Sequence, residues 1–188
     1  HPVEPDERFA ADLAFLGNRL PDREVRVEEF FLRPASLLPE RSFLIGGNGS
    51  ETKGMPPNVR HLGHVYTHQH NAFNCTPLAV LNISRSSMAE NGYSPATPVF
   101  EAAGAGACLI TDAWVGIELF LTPDEDVLVA SDVKDGGAIL SGLTEAQARE
   151  IGDRARRRVL AEHTYGHRAR QVDDTFRGFG RTGVKSAE

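Results

Sequence analysis

The chain has 188 residues, 40% of them hydrophobic, enough for one well-buried core or for one large half of a two-domain protein. Twenty Lys and Arg against 26 Asp and Glu leave a net charge of -6, which argues against non-specific binding to nucleic acid or to an anionic membrane. Two thiols in apolar neighbourhoods, Cys75 and Cys108, suit a reducing cytoplasm better than a disulfide scaffold, and no apolar run approaches the roughly 20 residues that cross a bilayer.

The start "HPVEPDERFA" is Pro-rich and lacks a basic-then-apolar signal pattern, so residues 1–11 are expected to be a linker from an upstream domain. The first strand is "DLAFLGN". After it, Arg23 to Leu38 reads as a helix with Val27, Phe30, Phe31 and Leu38 on one stripe. "SFLIGG" is a second strand; the "GGNG" that closes it reads as a plain turn and is given no role. "VRHLG" is a third strand, and "THQHNAFN" makes one or two helical turns before the fourth strand, "AVLNIS". Thr97 to Ala105 begins with a Thr-Pro pair, the N-cap and first-turn chemistry of a helix, and leads into "ACLITD", the fifth strand. "DVLVAS" is the sixth. Thr144 to His163 is a helix opened by the capping box Thr144 to Gln147, with Ile151, Ala155 and Val159 inward; Arg154, Arg156, Arg157 and Arg158 read as its solvated face. A folded unit over residues 12–177 is expected, followed by a tail at 178–188.

These strands are almost continuously apolar, as strands covered on both faces of a parallel sheet must be. Strand and helix alternate through six strands, which predicts an α/β, doubly wound, mainly parallel sheet with right-handed crossovers. In the order 3-2-1-4-5-6, a ligand crevice opens between the loops after strands 1 and 4, Gly17 to Arg23 and Ser84 to Thr97.

"GYSPA" nearly matches a hydrolase nucleophile elbow at Ser94, with Asp112, Asp132, His163 and His167 following in chain order. The residue after the nucleophile must lend a backbone N–H to the oxyanion, and Pro95 has none, so this reading is set aside. An anion socket fits better. Ser94, Thr97 and the free N–H groups of the helix that follows would face the crevice, where a helix start favours phosphate. Across it, Arg19 and Arg23 on the first loop and Arg85 after strand 4 would converge on a diphosphate. Glu101 either complements the helix dipole or accepts hydrogen bonds from ribose hydroxyls. The sequence has no Gly-x-Gly-x-x-Gly after its first strand and no Gly-Lys-Ser/Thr, which sets aside dehydrogenase and P-loop chemistry. His61, His64, His68 and His70 lack the spacing and companions of a zinc site, so no metal is expected; His64 lines the pocket or lies on the surface.

The segments "GNRLPDR", "LGHVYTHQHNAFN", "LNISRSSMAENGYSPATPVFEAAGAGACLITDAWVGIE" and "RRRVLAEHTYGHRA" resemble the C-terminal half of CgeB-like, group-1-type glycosyltransferases over about Asp12 to Phe176. The resemblance implies a GT-B architecture of two Rossmann-like domains, this one holding a nucleoside-diphosphate sugar, with the acceptor on an N-terminal domain. It implies retention at the anomeric carbon, no cofactor beyond the donor itself, and little activity for this half alone. Glu101 matches the family's second glutamate, associated with the donor ribose, and Arg19 and Arg85 would act on the leaving diphosphate with Gly17, Asn18, Arg23, His64, Ser94 and Thr97 around the nucleotide. Tyr93 stands where the first glutamate is expected and Pro98 where Arg is common. Gly104 and Gly106 match a small-residue helix end, read as close packing of helix on sheet. A module that binds a nucleotide or sugar phosphate and transfers nothing is the alternative.

Overall fold

The computed structural model describes residues 1–18, 20–49 and 54–182. Six strands, β1 Leu13–Leu16, β2 Phe43–Gly46, β3 Val59–Gly63, β4 Ala79–Asn82, β5 Leu109–Asp112 and β6 Leu128–Ala130, form one sheet in the order β3-β2-β1-β4-β5-β6. All of its strand pairings are parallel, with Leu13 beside both Phe43 and Ala79. Strand positions and order are those expected, and the sheet is wholly parallel. The order reverses between β1 and β4, and there the C-terminal strand ends part into a crevice.

The four inner strands are almost wholly buried, while β3 and β6 at the edges are half-exposed. Alternating side chains divide the core in two. Leu13, Phe15, Phe43, Ile45 and Leu81 pack against Phe31 and Leu140 on one face; Ala14, Leu44, Val80 and Leu109 pack against Phe73, Val99 and Val159 on the other.

The stretch after β1 is helical throughout but not uniform: α1 Glu24–Val27 passes through a π-helical turn, Glu28–Leu32, into α2 Arg33–Leu37. Pro34 has no N–H to return to the carbonyl four residues back, and the wide turn takes up that mismatch. Then come α3 His70–Cys75, α4 Ser86–Asn91, α5 Thr97–Ala105, α6 Val133–Gly142, α7 Glu145–Glu162 and α8 Tyr165–Thr182. Within the segment expected to be linker, Phe9 is buried with its ring 5.5 Å from that of Phe73. Helix α8 runs through residue 178, where the tail was expected to begin.

Three local expectations change. Ala96, not Thr97, caps α5, with no side-chain hydrogen bond, so Thr97 and Pro98 are the first two helical residues. Gly106 ends α5 in the left-handed conformation (φ 81°), whereas a side chain on Gly104 would meet nothing within 4 Å, so Gly104 is not a packing glycine. The close approach is made by Gly152 of α7, where a side-chain carbon would strike the Gly106 carbonyl oxygen. The capping box of α7 forms as expected, Thr144 N donating to Gln147 Oε1 at 3.0 Å and Gln147 N to Thr144 Oγ1 at 3.3 Å. Arg158 is no solvated residue: it donates to Phe120 O at 3.0 Å and Thr122 Oγ1 at 2.9 Å, and lies 3.6 Å from buried Asp126.

His163, just past α7, has a side chain only 7% exposed, packed between Phe100 and Phe120, and its Nδ1 accepts from Arg168 of α8 at 2.7 Å. Burial, and after it the Arg168 charge, lowers the His163 pKa, although Glu162 pulls the other way. Because the folded state holds this proton less tightly than the unfolded chain, this contribution to stability is present above about pH 6.5 and is lost as pH falls below it. Urea denaturation of His163→Phe should show a shallower loss of stability between pH 7 and 5 than the parent; identical slopes would show that His163 does not cause the loss.

Candidate functional site

A cleft of about 290 Å³ opens at the topological reversal. Gly17 and Asn18 from the loop after β1, Gly47 after β2, His64 and Thr67 after β3, and Pro98 and Glu101 of α5 form its walls; Phe73, Asn74 and Asn82 also line it. The loops are zipped by backbone: Gly17 N donates to Gly46 O at 3.0 Å and Gly47 N to Gly63 O at 2.7 Å. Asn48 N donates to Asn18 Oδ1 at 3.0 Å.

Of the expected residues, Gly17, Asn18, His64 and Glu101 line this cleft together. Glu101 is exposed, and its carboxylate has no hydrogen-bond or ion-pair partner among the described residues. It is the fifth residue of α5, in the second helical turn. A helix dipole acts mainly within the first turn, so position favours a ligand role for Glu101 over a dipole role.

Arg23 is not among the residues that line the cleft; it packs against Gly17, where a side-chain carbon would lie 2.9 Å from Arg23 Nη1. Its Nε is buried and has no partner among the described residues. Burial, and next the facing charge of Arg85, lowers the Arg23 pKa, while Asp22 and Asp112 raise it. Two cations held near one another, one of them half-buried, are what a bound anion would relieve. Arg85 itself is exposed, at the residue before α4. Ser94 lies in the loop before α5 and Thr97 at its first position, and neither is among the residues lining the cleft. Arg19 lies outside the described residues.

Asp112 organises this end of the sheet. Fully buried, it accepts from Ser84 N at 3.1 Å, from Ser84 Oγ at 3.1 Å, and from Arg26, whose Nε is 3.1 Å away. The carboxylate thus joins β5, the loop that carries Arg85, and the helix that begins beside Arg23. Neither Asp112 nor His163 hydrogen-bonds Ser94, so no catalytic triad forms among the described residues. Trp114 is buried against Phe120 and belongs to the core.

Sequence reasoning gave Gly47, Thr67, Asn74 and Asn82 no place in the cleft and weighed His70 for a metal site alone. The signal for Gly47 was the "GGNG" turn: its φ is +120°, and a side-chain carbon there would lie 2.3 Å from the Gly17 carbonyl oxygen. Only glycine lets the two loops meet at the cleft floor. Tyr93 adopts φ 51°, an uncommon conformation for a bulky residue, held by Tyr93 N donating to Val115 O at 2.7 Å. Among the described residues, no three His, Cys, Asp or Glu side chains gather to hold a metal ion, and no helix is long and apolar enough to cross a membrane.

A search of curated proteins gave no match. Among solved structures, sucrose-phosphate synthase from Thermosynechococcus elongatus aligns with a TM-score of 0.68 at 16% identity, over 92% of this chain and 46% of that one. Anabaena Alr3699/HepE, solved in complex with UDP-glucose, aligns with a TM-score of 0.69 at 12% identity, over 90% of this chain and 49% of that one. The C-terminal domain of a glycosyl transferase group 1 family protein, LpcC, from Francisella tularensis aligns at 0.66 and 12% identity, over 88% of this chain and 96% of that domain. The chain thus spans less than half the length of the first two and nearly all of an isolated C-terminal domain. The six-stranded parallel sheet with helices on both faces is that of the Rossmann-like domains of GT-B glycosyltransferases. The glycosyl transferase-like family Glyco_trans_1_2 matches residues 23–174, and the chain belongs to that family.

Proposed function

We propose that this chain is the donor-binding domain of a CgeB-like, group-1-type glycosyltransferase. It holds a nucleoside-diphosphate sugar in the cleft between β1 and β4, and the acceptor is held by an N-terminal domain of the same protein. The observation that carries this reading is the Glu101 carboxylate, without a partner among the described residues, on the wall of a cleft whose Gly17 packs against Arg23, whose buried Nε also has none among them. A carboxylate suits ribose hydroxyls; the cations and the uncapped N–H groups of α5, beside Ser94 and Thr97, suit the diphosphate. Charge grows on that diphosphate as its bond to the sugar breaks, so donors fixed around it bind the transition state more tightly than the ground state. The scheme needs no metal. Residues 12–177 form the donor domain, transfer proceeds with retention, Arg19 and Arg85 assist the leaving group, and the free thiols fit a cytoplasmic setting.

Calorimetric titration with UDP-, GDP-, ADP- and dTDP-sugars tests this reading. At least one should bind, weakly, because this chain supplies one wall of the full crevice. Silence across the panel at millimolar ligand would remove the donor-domain reading.

Tyr93 and Pro98, in place of the family's Glu and Arg, favour a second reading in which the domain binds a nucleotide and transfers nothing. Sugar transfer by the chain joined to its acceptor domain separates the two.

A further inference from the structure

We propose that a second cavity, at the end of the sheet opposite the cleft, binds a neutral polyhydroxylated ligand the size of a disaccharide. The site does not depend on the donor reading. Its volume is about 660 Å³. It lies at the N-terminal ends of the strands: Asp12 precedes β1, Ser42 precedes β2, Leu78 precedes β4 and Cys108 precedes β5, and all four line it. Its side walls are the end of α3 and the first two turns of α7. Among the described residues, Asn74 alone lines both this cavity and the cleft, so the two are separate openings at opposite ends of the strands.

Most of the polar groups here are already spent on the fold. Asp12 accepts from Arg41 at 2.8 Å and from both the N and the Oγ of Ser42 at 2.7 Å. Thr76 Oγ1 accepts from Asp6 N at 2.9 Å and donates to Ala72 O at 2.7 Å. Three side chains remain. Glu145 and Arg149 lie one turn apart on the same face of α7, yet no ion pair joins them, and neither has a partner among the described residues. The amide of Asn74, a residue only 9% exposed, has none among them either. A buried amide without a partner is costly, and a ligand that bonds it relieves the cost.

Those three groups set the class of ligand. One carboxylate and one guanidinium balance, so the free groups offer no net charge to draw a phosphate or a nucleotide. A carboxylate only accepts, a guanidinium only donates and an amide does both, which together complement vicinal hydroxyls. Pro77, Leu78, Ala107 and Leu143 supply an apolar wall for the C–H faces of a sugar ring. The head group of a free amino acid matches both charges but fills only a small part of a cavity this large. No aromatic ring lines the cavity among the described residues, so affinity rests on hydrogen bonds and is weak.

Cys75 reports on occupancy. Its half-buried thiol lines the cavity and donates to Ala105 O at 3.4 Å, whereas Cys108 is buried and its thiol pKa is pushed up to about 12. Alkylation near neutral pH therefore selects Cys75. The test times iodoacetamide labelling of the chain, located by mass spectrometry, with sucrose, trehalose, maltose and cellobiose at tens of millimolar, and with glycine and UDP beside them. At least one disaccharide should slow Cys75 labelling by roughly threefold, the protection given by ligand at twice its dissociation constant, and should shift the amide NMR signals of Ala107 and Ala148. Arg149→Ala, an exposed change that should leave the melting temperature where it is, should weaken that binding roughly tenfold or more. Absence of both protection and shifts with every disaccharide refutes the site and leaves the donor reading standing. Shifts confined to cleft residues such as Gly47 also refute it, as does binding that survives Arg149→Ala intact. Protection by glycine alone, or by UDP more than by any disaccharide, would overturn the neutral polyhydroxylated class.

Discussion

Replacing Asp112 by Ala is expected to destabilise the fold by about 3–5 kcal/mol, the range for removing one partner of a buried ion pair. The carboxylate is fully buried, and its loss leaves Arg26, whose side chain is 21% exposed, without its counter-charge and Ser84 N without an acceptor. For a domain of this size the melting temperature should fall by roughly 6–20 °C. Most of that penalty comes from the groups left behind and not from any large net attraction within the pair. The double variant Arg26→Met, Asp112→Leu should therefore recover much of the stability lost in Asp112→Ala. Urea denaturation of the single and double variants measures this; a single-variant loss below about 1 kcal/mol would show that water or a neighbour replaces the carboxylate.

Glu101→Gln should do the opposite: weaken nucleotide binding roughly 10-fold to 150-fold, the equivalent of about 1.5–3 kcal/mol for lost charge-assisted hydrogen bonds, while leaving stability nearly unchanged. The exposed carboxylate has no partner among the described residues to lose, and it lies just past the first turn of α5, where the dipole mainly acts. A 2',3'-dideoxy nucleotide provides the control, because it lacks the hydroxyls that Glu101 is proposed to hold. The parent should bind it as poorly as Glu101→Gln binds the normal nucleotide, and the two defects should not add. Additive losses in calorimetry would show that Glu101 and the hydroxyls act independently, and Glu101 would leave the site.

The cleft was legible at its ends and not at its floor. Gly17, Asn18, His64 and Glu101 were readable because the topology rule places loops, and each of these residues lies on a loop or within the first two turns of the helix that follows one. Asn74 and Asn82 were not, since an amide inside an apolar segment looks the same whether it supports a neighbour, as Asn82 does by donating to Thr111 Oγ1 at 3.0 Å, or faces a ligand. Thr97 read as an N-cap because Thr-Pro is a common way to start a helix. The chain enters one residue earlier, with extended backbone at Ala96, and the cap has no side-chain hydrogen bond.

What the sequence determined by itself was the strands: six apolar runs, their spacing by helical segments and their parallel direction, while their order was assumed and is given by the structure. Those features follow from local periodicity and from the handedness of crossovers, both written along the chain. Tertiary structure decided which charges are spent and which are free. Arg23, Arg26 and Arg158 look alike in sequence, yet Arg26 is tied to Asp112, 86 residues away, Arg158 pins Phe120 and Thr122, and Arg23 has no partner for its buried Nε among the described residues. The same is true of the aromatic residues at the β3 end, where the rings of His64, Tyr66 and His68 group at the surface while Phe73, a few residues on, enters the core. Ion pairs and ring contacts form between residues far apart in the chain or turned by a loop, so their partners are set by packing geometry and not by residue type.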